Sequence, residues 1–420
     1  AVWAMAHYAT AEAEQWCRRA LRYEAEQDIL AATHLRLARH EILGRVFKGR
    51  GDLPEAKEHL GCALAYGDQL GDHESKAHIL SSLAMVAELA GDYPAAKTAY
   101  EEARVLAGSL GSGWAYLRSS LYLSRLHFRN GDIHEALATC RQTLEKEAIW
   151  GHLTEGASFH AWTMTLVLMT QSHGDAIREA IGKLEEQLAG LRTREEWGNL
   201  FNVLGFLGNA YNLIGLYDQS RAYFTDSLKV AMASLLRPNE AAARLNLALQ
   251  AHALDDPDEM RRQALQARLI AEEGGYKPIQ ALAHRLEALA EAQPEKPDQA
   301  EKFLKAADAI WADLPEATRA AFAVPDLTYR AWVAQALGRA EDCLNLVETA
   351  RGSLPAVGDR EYALPLALLH AEIMVQLHRP GEARQTARDA LDLATELGHA
   401  SGSAQATRLL ASLEIHLNDS

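Results

Sequence analysis

The sequence predicts an all-α protein, a right-handed superhelical α-solenoid of about nine to ten helical hairpins with a ~40-residue period. Three observations predict it. A turn signal recurs at near-constant spacing, small residues recur at fixed distances on either side of it, and no segment alternates apolar and polar residues as a strand does. The turn reads Gly51-Asp52-Leu53-Pro54-Glu55-Ala56, then Gly91-Asp92-Tyr93-Pro94-Ala95-Ala96, then Gly131-Asp132-Ile133-His134-Glu135-Ala136. Weaker copies stand near Gly174-Asp175, Gly215, Asp255, Glu295, Gly338 and His378, with successive gaps of 40, 40, 43, 41, 40, 40, 43 and 40 residues.

Positions that did not define the turn test it. Seven residues before it stand Gly44, Ala84, Ser124, Gly208, Ala248, Ala288, Ala331 and Ala371. Twelve residues after it stand Ala63, Ala103, Thr143, Ser227, Ala267, Ala307, Ala350 and Ala390. Bulk lies between, at Leu60, Tyr100, Cys140, Phe224, Leu304 and Val347. A small residue where two helices cross lets the backbones approach, and large neighbours fill the groove beside the crossing.

In chain order, residues 1–30 read as degenerate leading helices or a junction to an upstream module, with Trp3, Trp16 and Leu21 as apolar points and no turn motif. Residues 31–400 form the superhelix, most regular up to residue 150 and weakest around Gly174, where the register is open by one residue. Gly71-Asp72 and Gly111-Ser112-Gly113 read as helix caps. Pro238 and Pro257 stand where helices start, a position that tolerates a missing N–H. The stretch from Leu314 to Asp326 carries two prolines and replaces part of a helix in this reading. Residues 401–420 repeat the first-helix pattern, with Ala411 at the small position, and read as a C-terminal capping helix.

Composition narrows the function. A formal charge of −15 argues against a general nucleic-acid or anionic-membrane surface. No run reaches the roughly 18 apolar residues of a membrane-spanning helix. Four separated cysteines, Cys17, Cys62, Cys140 and Cys343, form no CxxC pair and read as thiols in a reducing cytoplasm. No phosphate-binding glycine loop, HExxH pattern or nucleophile–base pair is present, so no enzyme activity, metal or cofactor is expected. The acidic pairs Glu101-Glu102, Glu185-Glu186, Glu195-Glu196 and Glu272-Glu273 read as solvated helix faces.

Leu207, Gly208, Tyr211, Gly215, Tyr217 and Ser220 carry the large, small, aromatic, glycine, aromatic, small spacing that resembles a tetratricopeptide (TPR) repeat. The period also lies near that of HEAT and armadillo repeats, but the turn chemistry favours TPR. The period and turns such as Gly91-Asp92-Tyr93-Pro94 followed by Ala103 and Gly108 resemble the C-terminal sensor arms of large bacterial signal-transducing ATPase (STAND) transcription regulators. The maltotriose-responsive activators and the antibiotic-regulatory activators are of this type. The resemblance covers residues 31–417 and implies a cytoplasmic arm that receives an inducer or regulatory protein. It also implies upstream ATPase and DNA-binding modules; neither lies within this sequence, so their residues are not carried over and this chain is not expected to touch DNA.

In TPR proteins the first helices line a concave face that binds peptides or small ligands. Counting from the turns places Arg45 and Lys48 there in the first copy, and His78, Ser82, Met85 and Glu88 in the second. The third offers Arg118, Tyr122, Arg125, Phe128 and Arg129; the fifth Asn202, Phe206, Asn209 and Asn212; the sixth Asn246 and His252. Arginines beside aromatics hold a carboxylate or phosphate and stack a flat group, and asparagines satisfy both donors and acceptors of an extended peptide. The competing readings are the solvated side of amphipathic helices for the residues, and a free-standing TPR adaptor for the chain. On the ligand-site reading, replacing Arg118 and Arg125 together by Ala weakens ligand binding and leaves the fold intact, a combination that a binding titration alongside circular dichroism checks.

Overall fold

The computed structural model describes residues 29–129, 132–150, 174–193, 197–357 and 360–418. Paired helices follow one another: α1 (Ile29–Arg50), α2 (Leu53–Leu70), α3 (His73–Ala90), α4 (Tyr93–Leu110), α5 (Gly113–Arg129) and α6 (Ile133–Trp150). After residues 151–173 come α7 (Gly174–Thr193), α8 (Trp197–Leu213), α9 (Tyr217–Ala233), α10 (Arg237–Ala253), α11 (Pro257–Gly274), α12 (Lys277–Ala290) and α13 (Pro297–Ala312). The chain continues through α14 (Glu316–Ala321), α15 (Ala323–Ala336), α16 (Ala340–Val357), a 3-10 turn (Arg360–Tyr362), α17 (Ala363–Gln376), α18 (Pro380–Leu397) and α19 (Ala400–Asn418). Among the described residues there is no strand, and no helix is long and apolar enough to cross a membrane. The architecture is a TPR-like α-solenoid of stacked helical hairpins.

Two residues suffice for a turn because each does a separate job. Gly51, Gly71, Gly91, Gly111, Gly215, Gly275, Gly338 and Gly398 take positive φ, which lets the helix end in a left-handed cap. The aspartate after the glycine opens the next helix: Asp52, Asp72 and Asp92 accept from the backbone N–H three residues on, and Asp256 does the same after Asp255. Where glycine is missing, Leu235, Asp255 and His378 are held in the left-handed region instead, a strain of roughly 1–2 kcal/mol each that the hairpin packing overcomes. The turns near Asp255 and His378 thus survive loss of the motif residue.

The small positions lie at the crossings. Gly44 faces Leu60 and Gly208 faces the ring of Phe224, each so closely that an added Cβ would fall 2.5–2.6 Å from a side-chain carbon. Ala63, Ala103, Thr143, Ser227, Ala267, Ala307, Ala350 and Ala390 are all buried. Ala411 of α19 is exposed. The proline stretch becomes α14, an added helix of six residues, ahead of a shortened α15 of 14 residues. Gly174 is the first residue of α7, and an added Cβ there would fall 2.5 Å from the carbonyl oxygen of Leu397. The leading segment, Gly131, Glu195-Glu196 and the first helix of the fourth copy lie outside the described residues.

Successive superhelical turns rest on one another. Thr318 Oγ1 donates to the carbonyl of Gly91, 227 residues away, and Gly91 also abuts Leu314 and Pro278. Tyr276 fills the space over Gly51 and is fully buried. Tyr217 meets His399 at 3.2 Å across 182 residues, and the same imidazole covers Gly215. One apolar cluster joins Leu53, Leu60 and Ile79 to Ala241, Ile270 and Tyr276; another joins Leu200, Leu204 and Leu207 to Leu364, Leu368 and Leu397. The superhelical turns stack about five repeats apart, with an apolar seam between them.

Glycines in helices separate crossing geometry from propensity. Alanine gains roughly 1 kcal/mol over glycine inside a helix, whereas overpacking costs about 1–3 kcal/mol. Gly61→Ala, with nothing within 4 Å of the new methyl, therefore raises the denaturation midpoint, and Gly208→Ala lowers it. Adding Phe224→Leu to Gly208→Ala recovers part of the loss in the same urea titration.

Candidate functional site

The first helices share a face, and the turns number it. The residue three before one turn hydrogen-bonds the residue six before the next. Lys48 Nζ donates to Met85 Sδ at 3.2 Å, Arg125 meets Glu88 at 2.9 Å, and Gln335 donates to Glu372 at 2.8 Å, each pair 37 residues apart. Gln250 donates to Asn212 at 2.9 Å, 38 residues apart, and Gln405 of α19 adds a second bond to Glu372 at 2.8 Å. These rungs tie neighbouring first helices directly. Sequence reading picked several of the residues but missed the pairing, whose signal is complementary polarity at a spacing of one period minus two or three.

The third-repeat basic strip is divided. Arg125 NH2 lies 2.9 Å from the Glu88 carboxylate, whose side chain is 4% exposed, and Tyr100 donates to its other oxygen at 3.1 Å. Burial works against the Arg125 charge, but Glu88 outweighs it, helped by Tyr100 and Tyr122, and the proton is held more firmly than usual. The Arg125 guanidinium also stands 5.0 Å over the Tyr122 ring, which stacks on Tyr100 at 5.7 Å. Arg125 therefore pairs internally with Glu88 while Tyr122 lies against its guanidinium, so replacing Arg118 and Arg125 together is expected to cost stability as well. The side chains of Phe128 and Arg129 lie outside the described ones.

Arg118 belongs to a second group, with Arg45, Lys48 and His78. All four are half-buried and come from α1, α3 and α5. Burial, then Arg118 and Arg45, push the Lys48 amine well below the ordinary ammonium range. Burial also holds His78 down; Arg118 and Arg45 add to this, against Glu74 and Asp72. Glu41, 3.9 Å from Arg45, has its carboxyl raised by burial and by Asp72, against Arg45 and Arg118. Lys48 is among the sequence candidates; Glu41, which is not, lies beside Arg45 on the same helix.

Further along, Asn202 and Asn209 of α8 and Asn246 of α10 are half-buried and make no side-chain hydrogen bond among the described residues. Phe206 packs partly against the core beneath α8, and Asn212 is taken by Gln250. Beyond them His252 of α10 meets Trp332 of α15 with ring centroids 4.5 Å apart, and Trp332 stacks on Tyr329 at 5.6 Å. Ser82 is buried and donates to the carbonyl of His78. Among the described residues no group of three or more His, Cys, Asp or Glu side chains is placed to hold a metal.

Known proteins compare as follows. Residues 35–109 and 117–142 match the tetratricopeptide repeat family. No curated protein matches the chain. Among solved structures, the chain is similar to a Rap protein complexed with competence and sporulation factor, at 14% identity over 88% of this chain and 99% of that one, with a TM-score of 0.59. It is also similar to the apo quorum sensor NprR of B. thuringiensis, at 15% identity over 83% and 99%, with a TM-score of 0.48. Yeast Tom70 aligns at 12% identity over 98% and 96%, with a TM-score of 0.35.

Breaking a buried pair from one side costs about 3–5 kcal/mol, and the partial exposure of Arg125 (26%) brings the expected loss for Arg125→Ala nearer ~2–3 kcal/mol. Glu88→Gln combined with Arg125→Ala regains much of it, as denaturant midpoints would register; an unchanged midpoint for Arg125→Ala alone would dismiss the pair. Stability also depends on pH. Burial lowers His252 from 6.5 to about 4, so between these values the unfolded chain binds a proton that the folded chain refuses. The His252 contribution is fully present above about 6.5 and lost as pH falls toward 4, with a slope of at most ~1.4 kcal/mol per pH unit. His252→Gln should flatten the midpoint-versus-pH curve in that window relative to the parent chain.

Proposed function

We propose that the chain is a non-catalytic TPR sensing and interaction arm of a bacterial transcription regulator. The face of its first helices takes an inducer or a segment of a regulatory protein and signals to an upstream ATPase module. The observation that carries this reading is the set Asn202, Asn209 and Asn246. The rungs use Asn212 and Gln250 on the same two helices, yet these three amides are half-buried with no hydrogen-bond partner among the described residues. These amides are open to water in the free chain, and an extended peptide backbone supplies both the donors and the acceptors that can take the place of that water. The Rap protein of similar fold, complexed with competence and sporulation factor, supports the class of function. The period and turn chemistry support the regulator context.

Signalling follows from the rungs and the seam. A ligand lying across α8 and α10 touches helices whose relative tilt sets how closely the turns stack, so it favours the curvature it fits better. The ligand shifts the equilibrium only by the difference in its affinity for the two curvatures.

Used as bait in an extract of the source cells, the chain captures a partner or ligand that Asn202→Ala, Asn209→Ala and Asn246→Ala together release, while the three substitutions leave the helical spectrum unchanged. Equal capture by the triple variant would reject the amide face. The intact mass of the natural gene product separates arm from adaptor: a product well above 46.1 kDa with a phosphate-binding loop upstream agrees with the arm. A product of about this mass would make the chain a free-standing adaptor.

A further inference from the structure

The repeat geometry is interrupted at one junction, and the interruption leaves a cavity. Every other described second helix that precedes a described first helix packs along it; α13 stands off from α15, which leans on α12 instead. The short helix α14 intervenes there, and the turn-to-turn gap is 43 residues where 40 is usual. Arg285 of α12 spans the opening from within. Its buried guanidinium donates to Asp326 of α15 at 2.7 Å, and to Asp308 at 2.7 Å and the Leu304 carbonyl at 3.0 Å on α13. The pair of Arg339 with Glu301 bridges it again nearer the start of α13. Between these ties lies a cavity of about 310 Å³, with Val333, Ala334 and Leu337 of α15 as its floor and Leu304 of α13 and Leu346 of α16 as its walls. Leu304 registers the opening: the bulky residue at its repeat position is buried at Leu60, Tyr100, Cys140, Phe224 and Val347, but Leu304 is only half-buried.

Polar groups line the same cavity at two levels. Arg330 stands eight residues before the turn at Gly338 and Asn345 seven after it, so they share one level of the hairpin. Asp342, four after the turn, lies about one helical turn nearer the loop. The Arg330 guanidinium reaches Asp326 only at 3.9 Å, and Asp326 already accepts from Arg285. The Asn345 amide makes no hydrogen bond among the described residues. We propose that this cavity binds a small monocarboxylate with an apolar tail. The tail lies on the aliphatic floor and walls, where its burial drives association. The carboxylate accepts from the fork of Arg330, whose planar pair of donors matches it, and from the Asn345 amide. Size limits the ligand, since about 310 Å³ is at the small end of the roughly 300–1,000 Å³ of ligand pockets. Charge selects it further: a second carboxylate at the far end of the tail meets Asp342, so a dicarboxylate is disfavoured. The cavity is apart from the amide face of α8 and α10, and the proposal does not rest on that reading.

The test is calorimetric titration of the full chain with sodium octanoate at pH 7, set beside octanol, octanedioate and acetate. Expected is saturable binding of one octanoate per chain. Octanol binds at least about tenfold more weakly, the scale of losing charge-assisted hydrogen bonds. Octanedioate also binds more weakly than octanoate, and acetate, which lacks the tail, gives no measurable heat of binding. Arg330→Leu lowers octanoate to the octanol level and leaves octanol unchanged, a pattern that general loss of fold does not give. Ala334→Leu, which fills the floor of the cavity, abolishes binding of both, and Arg262→Gln, an exposed arginine on α11, alters neither. Circular dichroism and the ligand-free denaturation midpoint establish that each variant is folded; Arg330→Leu is expected to match the parent, since Arg285 keeps Asp326 paired. No saturable heat with octanoate, equal octanoate affinity in Arg330→Leu, or several octanoates per chain that Ala334→Leu does not displace each overturns the site. Octanoate binding retained when Asn202, Asn209 and Asn246 are replaced together supports a site apart from the amide face; its loss there overturns the placement.

Discussion

The close crossing of each first helix over its second is the contact on which everything else rests. At Gly208 the backbone comes so near Phe224 that no methyl fits, and at Gly44 the same holds against Leu60. Close approach at the crossing brings consecutive first helices near enough for the rungs from Lys48 to Met85, from Arg125 to Glu88 and from Gln335 to Glu372. Those rungs in turn determine which polar side chains on the face are occupied and which are available. Site and scaffold are parts of one repeating geometry.

The rungs show how one position of a repeat takes different partners in different copies. The same place in the repeat carries a buried ion pair at Arg125 and a half-buried cation at Arg45. What separates them is the neighbour: Glu88 lies opposite Arg125, whereas Arg45 shares its field with Lys48 and Arg118. Burial strengthens the electrostatics in both situations, and at Arg125 it makes the pair a structural element.

The seam between superhelical turns adds a level that a single hairpin lacks. Nearest-neighbour packing alone leaves a solenoid free to flex like a spring. Here Thr318 bonds the Gly91 carbonyl, Tyr276 covers Gly51 and His399 covers Gly215, so the turn glycines serve twice. Their positive φ closes a hairpin, and their lack of a side chain admits the next turn. Curvature is thereby linked to contacts far away in sequence.

The repeat architecture was legible in the chain because each hairpin is a local object: the glycine, the capping aspartate and the two small residues sit within 20 residues of one another and act through short-range sterics. The first-helix face was legible to the same extent, since helical periodicity and the turn define its positions. What occupies that face was decided only in three dimensions. Periodicity places Arg118, Arg125 and Arg45 alike, and only packing distinguishes Arg125, drawn to Glu88 one repeat away, from the cluster around Lys48. The seam was beyond sequence altogether, because contacts spanning 182 and 227 residues depend on the pitch of the superhelix. Pitch accumulates from small rotations at every crossing, and no single motif records that sum.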